Sequence, residues 1–193
     1  MHDTVQFLVQ TGWLTLVFWR LLLGSISIAA LVWRCDPAQR TPRAVALWLL
    51  RMLVGTMWWQ LTLWKIPPNF DGLRYWMEQE AAQPSVALLT AFVGSIVLPN
   101  LNPFGPMVYL TEVVTSVSLL LGLFSRFGAM LGALMATNLW LGLYSAPGEW
   151  PWTYMFLVIL QGWFIIDPPG RVLGADVLRR RHASDGTWSL AHL

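Results

Sequence analysis

One cysteine, three histidines and few charges limit what this 193-residue chain can do. A lone thiol, Cys35, excludes an intrachain disulfide, a CxxC redox pair and an Fe–S cluster held by this chain alone. Bulky Arg34 stands before it, where a lipidated cysteine has a small residue, so Cys35 reads as an inert thiol beside a helix end. His2, His182 and His192 all fall outside the apolar stretches, which excludes a bis-histidine haem within a membrane. HExxH, the P-loop and GxSxG are missing, and GALMATNLWLG is a small-residue helix rather than a dinucleotide loop. Charged residues make up only 11%, with 12 Lys and Arg against 10 Asp and Glu. The basic ones sit in turns and at the C-terminus, so no basic face for nucleic acid is expected.

What is abundant is apolar. Hydrophobic residues reach 56% and the mean hydropathy is +0.54, which places the chain in the membrane class with the lipid bilayer as its first partner. The N-terminus lacks a basic n-region and its apolar run outlasts a signal peptide, so the first helix is expected to remain uncleaved, with the chain beginning near Met1. An all-α integral membrane protein with five transmembrane helices is expected, at residues 5–33, 45–64, 107–124, 127–144 and 152–166. The last is short and suits a thin or locally adapted bilayer. Between the second and third, NFDGLRYWMEQEAAQ reads as a polar loop with a short amphipathic helix carrying Phe70, Leu73, Trp76 and Met77. Residues 84–99 hold an apolar stretch too short to cross and are expected to form an interfacial or re-entrant helix.

Charge placement sets the expected orientation. With five spans and an exterior N-terminus, Arg34, Arg40, Arg43, Arg126, Arg171, Arg179, Arg180 and Arg181 are cytoplasmic, while Lys65 and Arg74 are outside. A crossing at 84–99 would carry Arg126 and the triple arginine outside, so parity selects five spans, N-terminus outside and C-terminus cytoplasmic. Arg20 lies within the first span, where a buried pairing and a snorkelling side chain both remain open. Arg51, a turn and a half inside the second span, is expected to snorkel. Trp48, Trp58, Trp59 and Trp64 crowd that same span, as interfacial belts and packing or as walls for a flat aromatic ligand such as a quinone.

A carboxylate inside an apolar span is costly, and that makes Glu112 the first functional candidate. It is expected in the first two turns of the third span, with Lys65 at similar depth on the second; pairing would offset much of the desolvation cost of both. Glu112, Thr115, Ser116 and Leu119 share one helix face. Two accounts of this face stand side by side. The polar residues can be interhelical glue, as the stripes Gly128, Gly132, Ala136 and Ala129, Ala133, Thr137 on the next helix are expected to be packing surfaces. Alternatively, Glu112 and Lys65 form a catalytic pair in a pocket where Trp59, Trp64, Thr115 and Ser116 hold a quinone or lipid, with no metal ligand set beside them.

In order along the chain, RMLVGTMWWQLTLWKIP, VLPN, TEVVTSVSLLLGLFSR, NLWLG and GRVLGADVLRR resemble the DoxX superfamily. Within it the chain is similar to DoxD, the small membrane subunit of thiosulfate:quinone oxidoreductase, over residues 51–181. It departs from the family at Thr62 and Ser116, where members have glycine. The resemblance implies a four-helix core at 44–181, an added N-terminal helix and cytoplasmic turn at 1–43, and a cytoplasmic tail at 182–193. It also implies residence in a bacterial or archaeal cytoplasmic membrane, as a quinone-linked oxidoreductase subunit without its own redox centre, working with other membrane-complex subunits. The runner-up is a non-catalytic structural accessory subunit of a larger respiratory or photosynthetic complex. A small-molecule permease is disfavoured by the lack of an inverted repeat and the few polar residues within the spans.

Overall fold

The computed structural model describes residues 12–66, 70–82 and 86–184, and among them every regular element is helical. Helix α1 (Trp13–Cys35) is followed by α2 (Pro42–Thr62), α3 (Asp71–Ala82), the short α4 (Ala87–Phe92), α5 (Leu101–Leu121), α6 (Ser125–Leu143), α7 (Pro151–Ile166) and α8 (Ala175–Ser184). Among the described residues three runs are long and apolar enough to cross a bilayer: α1, α2 and the 35 residues Ala87–Leu121; Trp152–Ile166 is a shorter apolar helix. The expected first turns of α1, residues 5–11, lie outside the described residues.

Residues 84–99, expected as a separate short helix, are described from position 86, and from Ala87 they run on toward α5 through a π turn (Val93–Val97) and a 3-10 turn (Leu98–Asn100). Pro99 accounts for the change of winding, because it has no N–H to donate and its ring crowds the preceding turn. Asn100 (φ −118°, ψ 38°) leaves the helical region, and its side chain donates to the Ile96 carbonyl at 2.8 Å. α5 then begins at Leu101, six residues earlier than the sequence pattern indicated. Pro103 occupies the first turn, where the missing N–H would have had no partner anyway. Glu112 is consequently in the middle of α5 and not in its first two turns.

The centre of the bundle is α5, in contact with α1, α2 and α6. Gly55 of α2 sits so close to α5 that an added Cβ would meet the Leu120 backbone nitrogen at 3.1 Å, and Ser116 donates to the Gly55 carbonyl at 2.8 Å. α6 lies between α5 and α7, and its glycine stripe is consumed inside the chain: a Cβ on Gly128 would overlap Ser118, and one on Gly132 would overlap Gln161. α1 is peripheral, with 22% of its apolar window buried, and meets the bundle through Phe18, Ser25, Ala29 and Val32. Arg20 faces outward, with no carboxylate in ion-pair reach among the described residues. The amphipathic α3 packs Leu73 and Met77, with Phe70 before it, onto Val93, Val97 and Leu101.

Arginines close the opposite end. Arg51 does not snorkel: its guanidinium is fully buried and donates to the carbonyls of Leu119 (2.6 Å), Leu120 (3.2 Å) and Leu173 (3.2 Å). α5 stops at left-handed Gly122 (φ 64°), whose N–H reaches the Leu119 carbonyl at 3.2 Å, so the last carbonyls of the helix lack their full i+4 partners, and a cation there also meets the negative end of the helix dipole. Arg40 does the same for α1 through the Trp33 and Arg34 carbonyls, and Arg126 for α7 through that of Ile165. Asp176 of α8 accepts from the backbone nitrogens of Phe124 (2.9 Å) and Ser125 (3.0 Å) and from the Ser125 hydroxyl (2.8 Å), which caps the start of α6 from the tail.

Candidate functional site

At the end of the bundle away from those arginines, the chain leaves α2 and carries Lys65 back under α3. The Lys65 ammonium forms a hydrogen-bonded ion pair with Glu112 Oε1, and both side chains are almost wholly buried, at 2% and 0% exposure. Two ions taken out of solvent hold together only when each satisfies the other, so this contact fixes the end of α2 against the middle of α5. The indole of Trp64 lies 4.4 Å from the Lys65 nitrogen, which adds a cation–π contact on a second side.

A second carboxylate reaches the same place from outside the spans. Glu80, on the inward face of α3, is 1% exposed and accepts a hydrogen bond from the Asn138 amide at 3.1 Å. Gly142 of α6 makes room for it, since a Cβ there would overlap the Glu80 carboxyl. Burial pushes the Glu80 acid up to about 7, against the opposing pull of Lys65 and of the Asn138 hydrogen bond. Beside it, the Tyr154 hydroxyl of α7 donates to Glu149 at 2.7 Å.

Lys65, Trp64 and Tyr154 border a cavity of about 470 Å³ whose remaining walls include Tyr75, Trp76, Leu139 and Leu143, with Lys65 as its cationic member and its partner Glu112 behind the lining. An apolar, aromatic cleft with one or two convergent polar groups is the usual form of a small-molecule site. Deeper in the bundle, Thr115 and Gln161 face each other across Gly132, and Thr115 Oγ1, both polar atoms of the Gln161 amide and Trp58 Nε1 have no partner among the described residues. The second oxygens of Glu80 and Glu112 are also unpartnered among the described residues. Unpaired buried polar atoms of both signs can exchange hydrogen bonds with water or with a polar ligand. Among the described residues no group of three or more His, Cys, Asp or Glu comes together as a metal site.

The sequence-derived candidates separate into two sets. Lys65 and Trp64 line the cavity, Glu112 is paired to Lys65 behind it, and Thr115 lies one turn deeper on the Glu112 face. Ser116 instead donates to the Gly55 carbonyl, and Trp59 packs in a cluster with Phe18, Met52 and Leu120, on the side of α1. It is the neighbouring Trp58, fully buried, that turns toward α6 and α7.

Glu80, Asn138, Tyr154 and Gln161 were not singled out by the sequence pattern. Glu80 did carry a signal, since Leu73, Met77 and Glu80 recur on one helical face and put an acid where a hydrophobe belongs. Gln161 is the lone amide in an otherwise apolar α7. No family model, curated protein or solved structure matches this chain.

Proposed function

We propose that the protein is a five-span membrane subunit of a quinone-linked redox complex, of the DoxX and DoxD kind, and that it binds the quinone head in the cavity beside Lys65. The observation that carries this reading is Lys65, buried and paired with Glu112, standing at the wall of a cleft built from Trp64, Tyr75, Trp76 and Tyr154. A quinone is flat, apolar and bears carbonyl oxygens. Aromatic walls suit its ring, and an ammonium suits its oxygen. Reducing it takes two electrons, which this reading assigns to a partner subunit, and two protons. Glu80 is poised to exchange a proton near neutral pH, with Lys65 and Glu112 next along the path. In this arrangement α1, α2, α5, α6 and α7 cross the bilayer, and the α4 segment rests in the outer leaflet. The chain then lies in a bacterial or archaeal cytoplasmic membrane with its N-terminus outside.

Tryptophan fluorescence tests it, because Trp64 and Trp76 line the cleft. Titrating the detergent-purified protein with a short-chain ubiquinone or menaquinone analogue is expected to give saturable quenching. Lys65→Met and Glu112→Gln, checked for native helix content by circular dichroism, are expected to weaken it about tenfold, the loss of one charge-assisted contact. Equal, non-saturable quenching in all three proteins overturns the quinone site. Stoichiometric recovery in a larger complex whose turnover survives Glu112→Gln would instead make the chain a structural accessory subunit.

A further inference from the structure

A second cleft, of about 1090 Å³, lies at the far end of the bundle, where α5, α6 and α8 meet. Its apolar wall is Val113, Val117, Leu121 and Met130, and its mouth carries Arg126, Arg171, Arg179 and Arg180. The charges are poorly balanced. Arg179 lies 3.7 Å from Asp176 and against the Phe124 ring, and both carboxylate oxygens of Asp176 are already engaged with the start of α6. Among the described residues no carboxylate lies within ion-pair distance of Arg126, Arg171 or Arg180. Burial, with added repulsion from Arg180 and Arg126, pulls the Arg171 guanidinium below its ordinary value against the opposing pull of Asp167 and Asp176.

We infer that this cleft is a binding site for one anionic phospholipid, its phosphate held by Arg126, Arg171 and Arg180 and its acyl chain laid along α5 and α6. Several features select that occupant over a free anion or a protein. The cationic ring is continuous with an apolar trough that runs along the spanning helices α5 and α6, so head and tail are matched at once. The volume exceeds what a phosphate needs. Phe127 and Met130, more than half exposed at 55% and 53%, open the trough to the surrounding acyl chains. Because Arg180 is on α8 and Arg126 on α6, an occupied site also ties α8 to the bundle.

Native mass spectrometry of the full chain, titrated with phosphatidylglycerol and with phosphatidylcholine of the same acyl chains, tests the site. Phosphatidylglycerol is expected to bind about tenfold more tightly, as clustered arginines at a membrane surface prefer anionic headgroups. Arg171→Gln with Arg180→Gln is expected to bring the two lipids to parity, whereas Arg74→Gln, exposed on α3 at the opposite end, keeps the preference. If the double variant does not accumulate, the wild-type preference is expected to fall as salt is raised. Equal binding of both lipids by the wild type, a preference that persists in the double variant or resists salt, or displacement of the lipid by millimolar inorganic phosphate would overturn the proposal.

Discussion

Glu80 occupies a position on α3 that the helical period assigns to a hydrophobe, and its burial has a measurable consequence. Its acid is held at about 7 in the folded protein against an ordinary 4.5, so between those values the native state binds the extra proton. Stability from this group is full below about 4.5 and is lost as pH rises toward 7, a change on the order of a few kcal/mol. The thermal midpoint in detergent is therefore expected to fall from pH 5 to pH 7.5. Glu80→Gln, which keeps a carbonyl for the Asn138 amide and carries no titrating proton, is expected to flatten that slope and to melt higher than wild type at pH 7.5. An unchanged slope would place the titration elsewhere. At this scale Lys65 and Glu112 were legible because charged side chains stand out against apolar neighbours, while Gln161 and Asn138 were not, because an amide in a membrane helix signals nothing until its neighbours are known.

Between elements, glycine decides how closely helices meet. Gly142 is the position where α6 admits the Glu80 carboxyl, so a methyl there must push α3 off its seat. Gly142→Ala is expected to lower unfolding stability by about 1–3 kcal/mol despite the better helix propensity of alanine. The pH slope due to Glu80 is expected to shrink in the same variant, since an expelled carboxyl is hydrated again. Chemical denaturation at two pH values reads both effects. α5 shows why element boundaries were harder to read than element existence. Its apolar run was evident, but three prolines around residues 99–106 look like a stop, and only the turn geometry shows that they fall at a change of winding, within the first turn and just inside the helix. Arg51 was misplaced for a related reason. A long cationic chain near a helix end suits either the lipid interface or a neighbouring helix terminus, and the choice depends on where α5 stops.

For the whole molecule, topology is the property that most needs measurement. Cys35 is free and exposed at the α1–α2 turn, and the arginine-rich end of the bundle holds the α5–α6 turn and α8 on the same side. Five crossings with the N-terminus outside put Cys35 in the cytoplasm. A membrane-impermeant maleimide is then expected to label Cys35 in inverted vesicles and not in intact spheroplasts. In a Cys35→Ser background, Pro147→Cys, exposed in the α6–α7 turn, is expected to be labelled from the outside. Labelling of position 147 from the inside would leave α6 and α7 uncrossed and reduce the spans to the three that are long and apolar enough on their own.

Membrane class, helical content and the two charges worth following are legible in the residue order alone, because hydropathy, period and the cost of a buried ion are properties of short stretches. What those charges meet depends on how the helices pack. Packing joined Lys65 to Glu112 across 47 positions, brought Glu80 to them from outside the spans, and turned Arg51 inward onto the end of α5. It also gathered Arg126, Arg171 and Arg180 around one cleft. These are long-range contacts fixed by helix packing, and no local pattern encodes which face of one helix will close on which end of another.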